Sequence, residues 1–221
     1  MNILVACEES QRVCMAFREK GHRAFSCDVI ECSGGHPEWH IMQDVIPLLN
    51  GNCEFKTCDG KVHTVNGKWD MIIAHPPCTY LCVTGNRWFD VVRYGDKARQ
   101  RFVDRYKAIV FFMQLALADC EKIVIENPVG IMSTAYKKAE QIIQPYMFGD
   151  EFEKKTCLWL KGLQPLIPSN EVKPSERKVF ESGKSMPAWY AELWGLPKNE
   201  RSRIRSKTFP GIAKAMAEQW G

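Results

Sequence analysis

Short apolar runs alternate with amphipathic ones along most of this chain. Residues 2 to 6 (Asn2-Ile3-Leu4-Val5-Ala6) read as a buried strand. Ser10 to Lys20 places Val13, Ala16 and Phe17 at helical spacing, with Gly21 as the stop. Arg23 to Cys27 is a second strand, followed by Asp28, and Cys32 to His40 is a loop of Gly, Pro and His. Residues 51 to 68 read as a small polar hairpin turning at Asp59-Gly60. A strand from Trp69 to Ala74, a long amphipathic helix from about Ala98 to Ala118 and a strand from Ile123 to Ile125 complete the pattern. This βαβ alternation predicts an α/β fold with a doubly wound, mostly parallel, Rossmann-like sheet and helices on both faces. The pattern breaks up after Tyr146. Residues 163 to 200 are rich in Pro and Lys, and Gly211 to Trp220 returns to a helical pattern. Three units are expected: a main domain over 1–160, a small irregular basic segment over 161–207, and a C-terminal helix over 208–221 that packs back on the main domain.

Charge and composition add where partners would bind. With 221 residues, 45% hydrophobic and 25% charged, the chain suits one sizeable α/β domain with a modest appendage. No apolar run reaches the length of a membrane span, so no membrane partner is expected. The opening residues lack a charged n-region, and several of the ten cysteines sit at strand ends, so a reduced, cytoplasmic protein is expected. The net charge is only +4, yet residues 161 to 207 carry ten Lys/Arg against five Asp/Glu. That late segment is the candidate for phosphate contact. Within it Arg201, Arg203 and Arg205 alternate, and in an extended strand they would share one face.

The chemistry concentrates at two strand ends. His75-Pro76-Pro77-Cys78 closes the Trp69–Ala74 strand, and the two prolines hold the cysteine rigidly outward. Open α/β sheets bind ligands at such carboxyl ends, and thiolate is a good nucleophile near neutral pH. Lys122-Ile123-Val124-Ile125-Glu126-Asn127-Pro128 repeats the layout and ends in a carboxylate. Adjacent strands would deliver a nucleophile and an acid to one sheet edge.

In these motifs the chain resembles the DNA cytosine-5 methyltransferase family in its compact phage or prophage form. The resemblance covers about residues 2 to 160, with a weaker echo in the last twenty. Pro77-Cys78 matches the family's nucleophile motif, and Glu126-Asn127 its Glu-Asn motif. Asp28 matches the residue that binds the cofactor ribose, and Asp44 the one that contacts the adenine. The resemblance implies the class I methyltransferase version of this fold and S-adenosylmethionine as cofactor. It also implies methyl transfer to cytosine C5 in DNA, through a thiolate of Cys78 adding to C6. Glu126 would sit against N3 and the exocyclic amine, with Asn127 fixing its direction. The target cytosine would be flipped out of a duplex or single-stranded.

Departures from the family pattern shape the remaining expectations. The first loop reads Ala6-Cys7-Glu8-Glu9-Ser10-Gln11, without the family's glycines. Cys7, Glu8, Glu9 and Pro76 are expected to line the cofactor, with Glu8 or Glu9 meeting its ammonium group. Lys154 and Lys155 stand nearest to the missing basic motif and join Pro77, Arg201, Arg203 and Arg205 as substrate-binding candidates. Glu126 has a second reading as a helix-capping carboxylate, and Asp28 and Asp44 as solvated loop groups. Cys27, Cys32, His36 and His40 have metal-compatible spacing, as do Cys53, Cys58 and His63. Structural zinc uses tighter Cys-x2-Cys pairs, so no metal is expected; the His36–His40 loop is read as closing over a cofactor or nucleotide. The same chemistry on a free cytosine nucleotide and a catalytically inactive DNA-binding module are the alternatives.

Overall fold

In the computed structural model, which describes residues 1–221, the chain folds in the order β1 (Asn2–Ala6), α1 (Arg12–Glu19), β2 (Arg23–Asp28), β3 (His40–Met42), β4 (Cys53–Lys56), β5 (Val62–Val65) and β6 (Met71–Ala74). Next come α2 (Val91–Tyr94), α3 (Asp96–Ala116), β7 (Ile123–Pro128), α4 (Met132–Ala135), β8 (Gln141–Ile143) and β9 (Thr156–Lys161). The late segment forms β10 (Arg177–Val179), β11 (Ser185–Pro187), α5 (Ala188–Glu192) and α6 (Lys198–Ser206), and α7 (Pro210–Trp220) ends the chain. No helix is long and apolar enough to cross a membrane.

Seven strands form one sheet in the order β3-β2-β1-β6-β7-β9-β8. The first five run parallel, and β9 alone runs against both neighbours. This is the doubly wound, mostly parallel sheet that the strand and helix pattern predicts. Strand alternation sends Leu4, Ala6, Ile72, Ala74, Ile123 and Ile125 to one face, where they meet Phe112 and Leu115 of α3. Ile3, Val5, Met71, Ile73 and Val124 point to the other face, against Val13 and Phe17 of α1 and Met216 and Trp220 of α7. Both faces are covered, so the central strands read as unbroken apolar runs.

The winding locates the site. The chain steps outward from β1 to β2 and β3, then returns to place β6 on the other side of β1. The carboxyl ends of β1 and β6 are therefore the switch point, where open sheets leave a crevice. The His75 amide still donates to the Ala6 carbonyl at 2.9 Å, and the two chains part beyond it.

One local expectation is overturned. Arg201, Arg203 and Arg205 lie in helix α6, not in an extended strand. No residue of α6 is buried, so no sheet face imposes a period of two, and arginine is a good helix former. In a helix Arg201 and Arg205 share a face, while Arg203 points nearly opposite.

Candidate active site at the strand ends

The Cys78 loop and the tail of β7 are laced together. Asn127 donates its Nδ2 to the Pro76 carbonyl at 2.7 Å, across the gap between the two strand ends. Beyond Cys78 the chain makes one helical turn, in which the Cys82 amide donates to the Cys78 carbonyl at 3.0 Å. Ile131 then donates to Leu81, and Val83 to Val129, at 2.8 and 3.1 Å. Gly130 permits this approach, because a Cβ there would lie 2.1 Å from the Leu81 carbonyl oxygen.

Cys78 and Cys82 sit at the two ends of that turn. The neighbouring Cys82 thiol, and then burial, raise the Cys78 thiol well above its ordinary value. Cys82 is lowered to about 5, first by the neighbouring Cys78 and then by Thr84 and the backbone at Thr84 and Gly85, against the opposing effect of burial. Its Sγ lies 3.0 Å from the Thr84 hydroxyl.

Glu126 is buried beside this pair, and its Oε2 lies 3.0 Å from His75 Nδ1. Burial alone would raise this carboxyl. The His75 hydrogen bond, the Lys154 charge, the His75 charge and a Thr156 hydrogen bond outweigh it, and the net shift is downward. The positive charge of Lys154 also favours ionised Cys78. Lys154 itself is tied to the appendage, donating from Nζ to the Arg205 carbonyl at 2.9 Å. Burial raises the Tyr190 hydroxyl of α5 against the opposing charge of Arg205, whose guanidinium lies 4.6 Å from the ring.

On the β1 side the chain turns without glycine. Cys7 and Gln11 both take φ 59°, the left-handed conformation that a glycine would adopt more easily. Burial raises the Cys7 thiol. Gln11 bridges the neighbouring loop, donating to the His36 carbonyl at 2.8 Å and accepting from its amide at 3.0 Å. The expected roles of the two glutamates separate here. Glu8 turns inward and accepts from the amides of Val13 and Cys14 at 2.7 and 3.2 Å, so it caps α1 and does not reach out to a ligand. Glu9 is buried with neither carboxylate oxygen hydrogen-bonded, and Arg203 Nε stands 3.6 Å away. A cavity of about 590 Å³ opens here, bounded by Glu9 and Ile30 and by Asn199, Ser202, Arg203 and Ser206 of α6.

Asp28 ends β2. Its Oδ1 accepts from Val29 at 2.7 Å and from Ile30 at 3.4 Å, and burial raises its carboxyl despite those bonds. Asp44 is exposed and caps a short 3-10 turn through the Ile46 amide at 3.0 Å. Pro76 is buried, whereas Pro77 and Lys155 are exposed. The structure thus gathers Cys78, Glu126, Asn127, Pro76 and Lys154 at one edge, with Glu9 at the adjoining cavity and Asp28 at the end of β2. Arg201 and Arg205 lie on a different face of α6 from Arg203.

No three His, Cys, Asp or Glu side chains assemble in metal-binding geometry. Cys27 donates to the Gln43 carbonyl, His36 stacks on Trp39 at 3.8 Å, and His40 is buried between Ser26 and the Ile30 carbonyl.

Three residues to which the sequence pattern assigns no task complete the edge: His75, Cys82 and Gln11. His75 was the most accessible of them to sequence reasoning. In the parallel register Ala74 faces Ile125, so the next residue on each strand, His75 and Glu126, must be neighbours.

No family model matches the chain, and no curated protein matches it. Among solved structures it is similar to the crystal structure of a candidate DNA modification methyltransferase encoded within a prophage of E. coli. The identity is 13% and the TM-score 0.42, over 90% of this chain and 56% of that one. The chain thus spans little more than half the length of that protein.

Proposed function

We propose that the protein is an S-adenosylmethionine-dependent methyltransferase acting on cytosine C5 in DNA through a covalent Cys78 adduct. The observation that carries this reading is the pairing of Cys78 and Glu126 at the ends of adjacent strands, locked in register by the Asn127–Pro76 hydrogen bond. A cytosine edge presented to Glu126 has N3 and the exocyclic amine against the carboxylate and the C6 face toward the cysteine.

The protein's own groups support the addition. As the Cys78 sulfur gives an electron pair to C6, its proton leaves to solvent. The C5–C6 π pair is then available at C5. Glu126, held ionised, accepts hydrogen bonds from the exocyclic amine and from N3–H of the ring protonated at N3, the N3 proton coming from solvent. Lys154 offsets the charge of the sulfur and of Glu126.

The β1 side suits the cofactor. S-adenosylmethionine, when bound, supplies an electrophilic sulfonium methyl group. Glu9, buried and without a hydrogen-bond partner, suits its ammonium, and Asp28 at the end of β2 suits its ribose hydroxyls. The left-handed backbone at Cys7 and Gln11 makes the close turn that glycines make elsewhere.

The test is tritiated methyl transfer from S-adenosylmethionine to DNA and, separately, to deoxycytidine monophosphate. Label in DNA that digests to 5-methyldeoxycytidine supports the reading. Label only in the mononucleotide would assign the protein to free nucleotides, and label in neither would leave it a binding module.

A further inference from the structure

His75 directly follows β6 and meets Glu126 at the end of β7, and its surroundings are unusual. Its side chain is 7% exposed and that of Glu126 10% exposed, and they meet at 3.0 Å. A carboxylate only accepts hydrogen bonds, so His75 Nδ1 must be the donor. The other ring nitrogen, Nε2, is buried and has no hydrogen-bond partner. The imidazole also lies within electrostatic reach of Glu8, the fully buried carboxyl of the β1 loop, which burial raises and His75 lowers. The imidazole thus touches one buried carboxyl group and acts electrostatically on a second. Lys154 faces Glu126 from the chain leading into β9, and Cys78 faces it from the loop after β6.

We propose that His75 is a positioning residue: its imidazole Nδ1–H aims the Glu126 carboxylate at the strand-end cleft. The proposal rests on the methyltransferase reading for its effect on turnover, but not for its effect on Glu126 itself. With Oε2 engaged by His75, Oε1 is the edge left for a substrate. Without His75, burial dominates at Glu126, and the carboxyl retains its proton to higher pH. Lys154 remains in every variant, so the change is partial.

Two variants test the Nδ1–H donor. His75→Ala removes it. His75→Asn replaces Nδ1–H with an amide N–H at nearly the same place. The experiment follows the side-chain carboxyl 13C signal of Glu126 against pH in protein labelled at glutamate, with Glu126→Gln giving the assignment. Thermal melting checks that each variant is folded. The expected result is a Glu126 transition at higher pH in His75→Ala than in wild type, with His75→Asn between them. Single-turnover methyl transfer to DNA is measured alongside. His75→Ala should lose about a hundredfold in rate with cofactor affinity unchanged, as expected for a misplaced reacting group. His75→Asn should recover at least tenfold of that loss. Coincident Glu126 transitions in wild type and His75→Ala overturn the proposal, as does a His75→Asn transition no lower than that of His75→Ala. If wild type transfers no methyl group while the transitions separate, the methyltransferase reading fails and the role of His75 stands.

Discussion

From Ile123 to Asn127 every residue of β7 is buried, whereas α6, which reaches the same site from the other side, buries none. The strand end is fixed several times over. Its backbone pairs with β6 and β9, Asn127 ties it to Pro76, and Gly130 locks it to the Cys78 loop. The polar contacts of α6 and the residue after it with the site region are side-chain ones: Arg203 with Glu9, Lys154 with the Arg205 carbonyl, and Lys207 with Ser33. Bond-making chemistry needs reacting groups held to a fraction of an ångström, which the sheet supplies. Contact with a long anionic polymer needs charge more than precision, and a polar helix supplies that. The two regions should therefore fail differently when altered.

The largest effect belongs to the strand ends. Cys78→Ser should abolish methyl transfer while calorimetry finds cofactor affinity unchanged, because the proposed role of Cys78 is toward the base and not the cofactor. Retained turnover would remove the covalent step. Glu126→Gln comes next, with a loss on the order of a hundredfold or more in rate. It carries a stability signature as well. His75, Lys154 and Thr156 together hold Glu126 below the ordinary carboxylate range in spite of burial. Its stabilising contribution is complete above that ordinary range and is lost as the pH falls through the lowered value. Urea melts of Glu126→Gln against pH should accordingly show a shallower decline on the acid side than wild type.

Gly130→Ala probes the lacing itself. The added methyl meets the Leu81 carbonyl, and a loss of about 1–3 kcal/mol in unfolding free energy is expected, as for overpacking at a tight contact. Unchanged stability would mean that the loop gives way freely. On the proposed role of Asp28, Asp28→Ala should weaken S-adenosylmethionine by about 1.5–3 kcal/mol, through lost hydrogen bonds to a charged group. Calorimetry showing equal affinity would return Asp28 to the role of a loop-turn residue.

The smallest effect sharpens the contrast from the side of α6. Because the segment is helical, its arginines no longer act as a set of three. Arg201→Ala with Arg205→Ala should reduce the log–log salt slope of duplex DNA binding by about 1.8, at roughly 0.9 per phosphate contact. Arg203→Ala, whose side chain is directed at Glu9, should leave the slope unchanged. Equal slope changes for Arg203 and Arg205 would contradict the helical placement.

What the sequence made legible follows the same division. The central strands are apolar on both faces, so runs such as Met71-Ile72-Ile73-Ala74 announce their strands and, with the helices between, their parallel pairing. Cys78 and Glu126 could be placed together because each closes such a strand. His75 lay within reach of the same argument, one residue past the end of the β6–β7 register. Cys82 did not, because its partnership depends on a helical turn after a Pro-Pro step that no periodicity signals. Glu8 and Glu9 were indistinguishable as adjacent glutamates, and only the inward turn at α1 separates a capping carboxylate from an unsatisfied one. The Arg-Ser-Arg-Ile-Arg run misled because alternation marks a strand only where one face is buried, and neither face of α6 is.

The central claim, a covalent bond between Cys78 and cytosine C6, is tested most directly by trapping. A DNA duplex carrying 5-fluorodeoxycytidine has no proton at C5 to lose after methyl transfer, so an adduct formed on it cannot resolve. Incubation with S-adenosylmethionine should give a protein–DNA complex that survives denaturation, and peptide mass spectrometry should place the modified base on Cys78. The adduct should be absent in Cys78→Ser and should require the cofactor for accumulation. No stable complex with wild type, or a base attached to Cys82 instead, would contradict the account.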